Sequence, residues 1–470
     1  MLFGSLYFLI FMVAVLAGYW ALRSWRARKI FLLGASWIFY ATWSPGFLPV
    51  LVATTWLDFH LARWIYRLRW DPAGVEREGG VRRARGPLVL SLAVNLGLLA
   101  FFKYGRFAYG SIGAFAWLPP TPAFLAVAVP LGISFYTFHS ISYVIDTYRG
   151  SRPPTDSLSD FALYVAFFPQ LISGPITRWG FFGPQLDRAR RVRLEQLEGA
   201  LLLLASGLVK KVICADSLGA FVDTVYGDPA GSARLEVWTA LYAYAFQIYF
   251  DFSGYTDIAW GIAGLLGFAL PENFRHPYLS ESPTEFWRRW HISLSSWLRD
   301  YLYVPLGGNR RGRVRTYVNL LVTMLLGGLW HGAAWTFVAW GAYHGGWLAV
   351  HRAIVERRQG PPRTPRWFRR LVTFHLVALG WVLFRAGTFE NVGRVLRGLF
   401  APRPLFGPFP IGPTAIVLLG FATHALALRA EVPVVWRRMP RLVQGVAYGV
   451  VIVLIGLFSA QSQRFIYFQF

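Results

Sequence analysis

The sequence predicts an all-α, polytopic membrane protein. Of its 470 residues, 55% are hydrophobic, 17% are aromatic and only 15% are charged, whereas soluble domains carry about 25% charged residues. The mean hydropathy is +0.41. Many windows of about 18 or more residues are nearly free of charge, which is the length needed to cross roughly 30 Å of hydrocarbon. These observations favour a bundle of membrane helices over a soluble fold.

Apolar stretches that predict membrane segments occur along the whole chain. Several of them are short or are interrupted by glycine and proline, so we expect roughly eleven transmembrane helices together with re-entrant pieces. Arginines on both sides of 158–174 favour a re-entrant loop there. The stretches lie near residues 2–22, 30–43, 47–66, 86–104, 122–145, 158–174, 199–226, 235–268, 316–331, 333–350, 371–385, 411–429 and 441–460.

The net charge of +24 comes almost entirely from arginine, because only four of the 47 basic residues are lysine. The basic residues form short clusters between apolar runs, which is typical of cytoplasmic loops under the positive-inside rule. Their natural partners are anionic membrane lipids, and nucleic acid is not expected as a partner. We take as cytoplasmic the clusters 23–29, 64–85, 275–315, 352–370 and 430–441.

The beginning of the chain predicts a retained helix with its N-terminus outside. The first apolar run starts at Leu2 and its basic cluster follows it, whereas a cleavable signal peptide has the charges first. No internal repeat is evident, and the polar loop 67–86 and the Pro-rich loop 401–413 are too short to form a second domain. We therefore predict a single membrane-embedded domain, residues 1–470. The single cysteine, Cys214, excludes an internal disulfide and is expected to be a small apolar residue near a helix end.

The stretch "TEFWRRWHISLSSWLRDYLYVPLGGNRRG", residues 284–312, is too polar to cross a bilayer. Placed on one continuous helix, residues 286–301 separate into an apolar and a polar face. A helix with tryptophans on one face and arginines on the other lies along the membrane interface, so we expect an interfacial segment, about 275–315, to cap the cytoplasmic side. The apolar face comprises Phe286, Trp287, Trp290, Leu294, Trp297, Leu298 and Tyr301, and the polar face comprises Arg288, Arg289, Ser295, Ser296 and Arg299, with Ile292 as the exception.

A turn is predicted after this helix at "GGNRRG", residues 307–312. Gly307 and Gly308 free backbone N–H groups, and the side chains of Asn309, Arg310 and Arg311 offer further donors. Such a group of donors can hold phosphates. A solvated loop held to lipid headgroups explains the same residues equally well.

Two histidines are candidate functional residues. His291 falls at the border of the two helix faces, where a structural histidine is more common than a catalytic one. His331 lies where the first arm of a helical hairpin, about 316–350, ends. A histidine at membrane depth is costly and marks a functional site, and an imidazole suits general-base chemistry. His344 repeats the His-Gly pairing on the second arm. Three glycines flank His331 and let other groups approach the backbone closely: Gly327, Gly328 and Gly332.

A second polar cluster occurs in the apolar stretch "FQIYFDFSGYTDIAWG", residues 246–261. Asp251, Ser253 and Asp257, together with Gln247, place polar groups where charge is expensive, so partners must exist inside the bundle. The carboxylates either orient a histidine or bind a substrate hydroxyl, or they pair with arginines such as Arg288 or Arg299 to hold the fold.

Sequence motifs of several enzyme classes are absent. The chain has no G-x-S-x-G, H-E-x-x-H, P-loop or G-x-G-x-x-G pattern. The sequence therefore gives no motif evidence for serine hydrolysis, zinc proteolysis, ATP-driven transport or dinucleotide redox chemistry. An intramembrane histidine remains as the candidate catalyst.

Four motifs resemble those of the membrane-bound O-acyltransferase (MBOAT) family, in its bacterial alginate O-acetyltransferase-like branch. The likeness extends from "YFLIF" near the start of the chain to the closing "FIYFQF", and the "LGGNR" turn favours this branch over the related D-alanyl transfer proteins. The motifs are "EFWRRWHISLSSWLRDYLYVPLGGNRRG", "LLGGLWHGAAWTFVAWGAYHG", "YFDFSGYTDIAWG" and "VPLGISFYTFHSISYVIDTYRG" (129–150).

This resemblance implies a multi-pass protein of the bacterial inner (plasma) membrane, with a ring of helices around a central tunnel. It implies His331 as the catalytic histidine and His291 as a second family histidine at the cytoplasmic funnel. The co-substrate would be an acyl thioester, most simply acetyl-CoA, with no bound cofactor and no metal. A periplasmic acetyltransferase would be the partner that modifies an exported polysaccharide such as alginate. The side chains expected to meet the donor's phosphates are Arg288, Arg289, Arg299, Asn309, Arg310 and Arg311.

Three alternatives stay open at this point. The acyl group or the acceptor glycan can differ, as in D-alanyl transfer to another cell-envelope polymer. A transporter or flippase also places Asp and His inside a helix bundle, although it predicts inverted repeats that the sequence lacks. A non-catalytic scaffold for an export complex would tolerate the loss of His331.

Overall fold

The computed structural model describes residues 3, 5–113, 119, 121–125, 127–357, 360, 362–402, 404, 405, 407, 409–425, 436 and 438–458. Within these ranges the regular structure is helical, apart from an isolated antiparallel bridge between Trp70 and Glu76. The predicted all-α class is confirmed for this part of the chain. The residues divide into two compact units, Met1–Ala200 with Ala259–Pro271, and Leu201–Ile258 with Glu272–Phe470.

The α-helices are numbered in chain order. Three π-helical turns, Ala100–Tyr104, Val209–Ala215 and Arg299–Tyr303, join or extend them. The helices are α1 (Leu6–Ala21), α2 (Trp25–Ala41), α3 (Leu48–Arg69), α4 (Gly80–Leu99), α5 (Gly105–Gly113), α6 (Ile133–Arg149), α7 (Leu158–Ala166), α8 (Phe168–Leu171), α9 (Trp179–Phe182), α10 (Leu194–Leu208), α11 (Asp216–Gly227), α12 (Arg234–Leu265), α13 (Pro283–Arg289), α14 (Ile292–Leu298), α15 (Arg313–His331), α16 (Trp335–Arg357), α17 (Arg366–Arg385), α18 (Phe389–Phe400), α19 (Ile411–Ala425) and α20 (Arg441–Phe458).

Helices long and apolar enough to cross a membrane are present among the described residues. Three helical stretches meet both criteria: Gly80–Gly113, which combines α4, a π-helical turn and α5, then Arg366–Arg385, and Arg441–Phe458. Two shorter helices, Leu6–Ala21 and Ile411–Ala425, are also apolar. The chain is therefore a membrane protein by composition and by helix type.

A helix boundary differs from the predicted apolar stretch at 122–145. The stretch 122–145 was expected to be one segment, but α6 begins only at Ile133. Pro130 disfavours helical geometry in the residue before it, and Gly132 has a left-handed φ of 74°, so the helix starts after both. The stretches that reach 429 and 460, the residue Leu2 and the closing "FIYFQF" extend beyond the described residues.

The stretch 158–174 is interrupted, as its glycine and proline content predicts. Helix α7 ends at Ala166, α8 is short, and the backbone that follows is not helical. Side chains satisfy this backbone: the Thr177 N–H donates to Nε2 of His139 at 3.2 Å, and the Tyr164 hydroxyl donates to the Thr177 carbonyl at 2.9 Å. Irregular backbone inside a membrane protein needs such internal partners. Whether the segment is re-entrant stays a prediction.

A buried carboxylate links α3 to α4 in the first unit. Asp58 accepts hydrogen bonds from the Ser91 hydroxyl at 2.6 Å and from the Asn95 amide at 2.9 Å. All three side chains are buried. Because a polar group in an apolar interior is costly unless it is hydrogen-bonded, these contacts fix the register of the two helices.

Candidate active site

The helical hairpin that carries His331 consists of α15 and α16. The two backbones approach so closely that only glycine fits at the contact. A Cβ atom on Gly341 would collide with the Met324 carbonyl, and one on Gly328 would collide with the Phe337 carbonyl. Small residues permit this kind of close helix packing in membranes. The hairpin is therefore a rigid support for the histidine at the end of α15.

Replacing Gly341 with valine is expected to separate α15 from α16, lower the melting temperature and reduce activity. Overpacking of this kind typically costs about 1–3 kcal/mol. The matched control is Gly346→Val on the same helix, where an added Cβ meets no atom within 4 Å. Melting of both variants in detergent would be measured with tryptophan fluorescence. Equal losses in the two variants would show that the close contact is not what holds the hairpin.

His331 is the last residue of α15 and is only 5% exposed. Its imidazole is surrounded by aromatic rings, with centroids of Trp330 at 5.0 Å, Trp340 at 5.2 Å and Phe384 at 5.3 Å, all edge-on. Edge-to-face contacts of this kind favour one ring orientation. The chain leaves the helix at Gly332 in an extended conformation, which ends α15 at the histidine.

His344 shares part of this aromatic surrounding. Its ring contacts Trp340 at 4.9 Å and Trp287 at 5.2 Å, so Trp340 lies against both histidines of the hairpin. A Cβ atom on Gly380 would lie 2.7 Å from Nε2 of His344, which shows that α17 closes over this ring. The position fits the expected role of a structural companion to His331.

The interfacial segment is not one continuous helix, so this prediction is wrong. Helix α13 ends at Arg289 and α14 begins at Ile292, because His291 adopts a left-handed conformation with φ 43° and ψ 54°. The predicted apolar and polar faces are nevertheless observed, because α13 and α14 each bury their apolar side. Arg288 and Arg299 are exposed and Trp287 is half-buried. The buried apolar residues are Phe286, Trp290, Leu294, Trp297, Leu298 and Tyr301.

His291 is buried, 1% exposed, rather than at the border of two faces. Its ring stands edge-on to Phe252 of α12 at 4.5 Å and contacts Trp330 at 6.2 Å. Because Trp330 also contacts His331, one indole ring touches both candidate histidines. Burial disfavours the charged form and lowers the pKa of His291 to about 3. The imidazole is therefore neutral at physiological pH.

The carboxylates of α12 pair with lysines, not with Arg288 or Arg299. Lys211 Nζ lies 2.7 Å from Asp251 and 2.8 Å from Asp216. Lys210 Nζ lies 2.5 Å from Asp257. These ion pairs support the alternative that Asp251 and Asp257 stabilise the fold. Their partners are lysines rather than the expected arginines.

Close packing brings the lysines to these carboxylates. Both lysines lie in the π-helical turn Val209–Ala215. A Cβ on Gly207 would come within 2.6 Å of the Gly254 carbonyl, so α10 and α12 touch through backbone just before this turn. Cys214 occupies the same turn and is buried. Ser253 and Gln247 are buried on α12 as predicted for inward-facing groups.

The predicted arginine cluster is partly engaged in local ion pairs. Arg289 pairs with Glu285 at 2.6 Å and Arg299 pairs with Asp300 at 2.7 Å. Arg288 is exposed. These pairs reduce the net positive charge that Arg289 and Arg299 can offer to a phosphate.

The glycine-rich turn forms where it was predicted, but its glycine N–H groups are not free, so this part of the prediction is wrong: the Gly307 N–H donates to the Val304 carbonyl at 3.0 Å and the Gly308 N–H to the Tyr303 carbonyl at 2.9 Å. Gly307 and Gly308 have φ values of 114° and 55°, which L side chains rarely adopt. The Asn319 amide of α15 donates to the Gly308 carbonyl at 2.9 Å and anchors the turn. Exposed on it are the side chains of Asn309, Arg310 and Arg311.

Sequence reasoning missed Asn273, Trp330 and the two lysines of the π-helical turn. Asn273 lies in a short loop, and nothing in its neighbouring residues marks it, although its side chain lies 3.3 Å from Nδ1 of His291. The adjacent lysines were a visible signal, because uncompensated cations inside a bundle require carboxylate partners.

Comparison with known proteins decides the family. Residues 151–384 match the family model described as MBOAT, membrane-bound O-acyltransferase family. A probable alginate O-acetylase, AlgI, of Azotobacter vinelandii is 44% identical over 405 residues, covering 85% of this chain and 78% of that protein. The chain belongs to the membrane-bound O-acyltransferase family. It is an O-acyltransferase, and the predicted resemblance is confirmed.

Other relatives differ in the acceptor that their names give. A peptidoglycan O-acetyltransferase of Helicobacter pylori is 37% identical over 413 residues, covering 81% of this chain and 76% of that protein. A teichoic acid D-alanyltransferase of Streptococcus thermophilus is 30% identical over 281 residues, covering 54% of this chain and 68% of that protein. The common element in these names is acyl transfer to polymers of the cell envelope.

An acyltransferase of this family requires an acyl donor as co-substrate. The described residues contain no group of three or more His, Cys, Asp or Glu side chains placed to hold a metal ion.

Proposed function

We propose that the chain is a multi-pass protein of the bacterial inner membrane that moves an acetyl group from a cytoplasmic thioester, most simply acetyl-CoA, for O-acetylation of an exported polysaccharide such as alginate. The observation that carries this proposal is the position of His331, buried among aromatic rings at the end of α15 in a closely packed helical hairpin. Roughly eleven crossings around a central tunnel would connect the donor side to the acceptor side. The relative from Azotobacter vinelandii supports alginate as the polymer.

The chemistry proposed for His331 is general-base catalysis. Its imidazole takes the proton from an acceptor hydroxyl, and the hydroxyl oxygen forms a bond to the thioester carbonyl carbon. The carbon–sulfur bond then breaks, and the thiolate receives the proton, which leaves an ester and free thiol. Water is excluded by the aromatic wall, so competing hydrolysis of the thioester is suppressed. The direct acceptor is either a sugar hydroxyl or a hydroxyl of a periplasmic acetyltransferase that completes the modification.

The exposed turn after α14 is proposed to bind the donor's phosphates. Arg310 and Arg311 lie beside Gly307 and Gly308, and these arginines form no ion pair among the described residues. Asn309 on the same turn adds an amide donor, and Arg288 and Arg289 lie next to His291 in the sequence. Asp251 and Asp257 are assigned to the support of α12 rather than to a substrate hydroxyl, because each pairs with a lysine, and Ser253 is buried on the same helix.

Replacing Arg310 and Arg311 together with alanine is expected to raise the KM for acetyl-CoA while kcat changes little. Each charge-assisted hydrogen bond contributes about 1.5–3 kcal/mol, so the loss of both should raise KM by about a hundredfold or more. The control is Arg394→Ala, an exposed arginine of α18 that pairs with Glu390. Initial rates would be measured at several salt concentrations. An unchanged KM would assign these arginines to lipid headgroups instead.

The experiment that tests the function uses purified protein in nanodiscs with acetyl-CoA labelled in the acetyl group, together with a periplasmic extract of the host. Label that appears in a glycan or protein acceptor supports the proposal. Transfer of a D-alanyl group but not of an acetyl group would show that the protein is a D-alanyltransferase instead. Movement of substrate without acyl transfer, measured in sealed vesicles, would instead support a transporter.

A further inference from the structure

Asn273 caps helix α14 from a separate loop. The first backbone N–H groups of a helix have no partner within it, and His291, the residue before α14, supplies no side-chain cap. The Asn273 carbonyl accepts the N–H of Ile292 at 2.9 Å, and its Oδ1 accepts the N–H of Ser293 at 3.2 Å. Asn273 is fully buried. A capping asparagine that lies 18 residues before His291, the residue that precedes the helix, ties two separate segments together.

The same amide determines where the proton of His291 lies. A backbone N–H can only donate, so the Asn273 atom that faces the Ser293 N–H must be the oxygen. This oxygen also accepts the Ser293 hydroxyl at 2.6 Å and lies 3.3 Å from Nδ1 of His291. Nδ1 must therefore carry the proton. In a neutral imidazole, Nε2 then presents its lone pair.

Backbone contacts hold His291 in an unusual conformation. The Arg275 N–H donates to the Arg289 carbonyl at 2.9 Å on one side of the break, and the Ile292 N–H donates to Asn273 on the other. A non-glycine residue in the left-handed region costs roughly 1–2 kcal/mol. Such strain persists only where the surroundings impose it, and it is concentrated at functional sites.

Nε2 of His291 has no hydrogen-bond partner among the described residues, although the side chain is buried. A buried polar atom without a partner costs about 1–3 kcal/mol. The ring is held between Phe252 and Trp330, and Trp330 also touches His331. The Nε2 lone pair is therefore an acceptor without a partner among the described residues, and it belongs to a ring that packs on the same indole as the candidate base.

We propose that Asn273 is a positioning residue that holds His291 in the neutral form protonated at Nδ1, so that Nε2 accepts a hydrogen bond from an amide N–H of the thioester arm of the acyl donor. The inference rests on the proposed function and adds how the donor is aligned. A neutral acceptor suits a neutral N–H donor, whereas an imidazolium would offer only N–H groups. His331 remains the residue that takes the proton in the reaction.

The decisive variant is Asn273→Asp, because a carboxylate can still cap α14 but favours protonation of His291. At pH 8 its KM for acetyl-CoA should stay near the wild-type value. At pH 6 it should rise about tenfold, the loss of one hydrogen bond, as His291 becomes an imidazolium. The wild type should show no such rise, since burial lowers the pKa of His291 to about 3. A purely capping role predicts the same KM at both pH values and would overturn the inference.

The wild type and the Asn273→Asp variant have the same other charged groups near His291. On α12, Asp251 and Asp257 are paired with Lys211 and Lys210. On α15, the neighbouring titratable group is His331. Their contribution to the pH profile therefore appears in the wild type as well, and the difference between the two profiles isolates the change at position 273.

Two further measurements separate positioning from folding. In a double-mutant cycle, the effects of Asn273→Ala and His291→Ala on KM should not add if one residue acts through the other. Asn95→Ala, which removes an equally buried asparagine of the first unit, should lower stability and show no coupling to His291. Additive effects of Asn273 and His291 would contradict the proposal.

The tautomer itself can be observed without catalysis. Solid-state NMR of nanodiscs with ¹⁵N-labelled histidine, with the signal assigned by its loss in His291→Gln, should show protonation at Nδ1. Protonation at Nε2 would overturn the inference whatever the enzyme does. A wild-type protein that shows the expected tautomer but transfers no acetyl group would overturn the proposed function instead.

Discussion

Replacing His331 with alanine is expected to lower acetyl transfer by about 10²–10⁴-fold, the usual contribution of a general base. The imidazole is the group that the proposed reaction requires, and it lies buried between Trp330, Trp340 and Phe384. Transfer of labelled acetyl groups in nanodiscs would measure the loss. The expected effect is mainly on kcat, because the base acts in the transition state rather than in donor binding.

Alanine at this position also leaves a cavity in an aromatic cluster, so His331→Phe is the better second variant. Phenylalanine keeps a ring among the same neighbours but cannot accept a proton. Both variants should be inactive, and His331→Phe should melt closer to the wild type. The control His60→Ala removes an exposed histidine of α3 and should leave transfer unchanged. Substantial transfer by a folded His331→Phe protein would exclude His331 as the base.

Replacing Lys211 with methionine is expected to destabilise the protein strongly. Lys211 neutralises both Asp251 and Asp216, and all three side chains are at most 13% exposed. Removing one member of a buried ion-pair group typically costs about 3–5 kcal/mol, because the remaining charges keep their desolvation penalty. The free energy of unfolding would be measured by chemical denaturation in mild detergent. Activity should fall as well, since Phe252 beside Asp251 packs on His291.

Charge-balanced variants test this explanation. Lys211→Met combined with Asp251→Asn and Asp216→Asn removes the cation and both anions, and should recover most of the lost stability. Lys29→Met is a matched comparison, because Lys29 pairs with a single carboxylate, Asp160, at 2.7 Å and similar exposure. It should cost less than Lys211→Met. If the triple variant is no more stable than the single one, the buried charges are not the cause.

Much of the fold was predictable because it depends on patterns that are local in sequence. Uncharged runs of membrane length identified the apolar helices, and the alternation of tryptophan and arginine in 286–301 identified which side of that segment is buried. His331 was found because a histidine in an apolar run is rare and costly. The position of Gly307 and Gly308 identified the turn, but not its left-handed backbone or the hydrogen bonds of its glycine N–H groups.

Other features were missed because they depend on partners that are distant along the chain. Helical periodicity reports which face of a segment is buried, and both faces were correct even though the helix breaks at His291. The break depends on Asn273, whose hydrogen bonds to Ser293 cannot be read from either segment separately. Likewise, Asp251 and Asp257 needed cations, but the sequence contained many arginines and did not indicate that lysines would be the partners.

The sequence by itself determined that this chain is a helical membrane protein, that it resembles O-acyltransferases and that His331 is its candidate base, because hydropathy and motif are properties of contiguous residues. Only the tertiary structure decided that His291 is buried in a left-handed conformation and that Oδ1 of Asn273 lies 3.3 Å from Nδ1 of its ring. It also decided that Lys210 and Lys211 neutralise the carboxylates of α12. These contacts form only when separate segments pack together, and the strong cost of unpaired polar groups in an apolar interior then selects the partners.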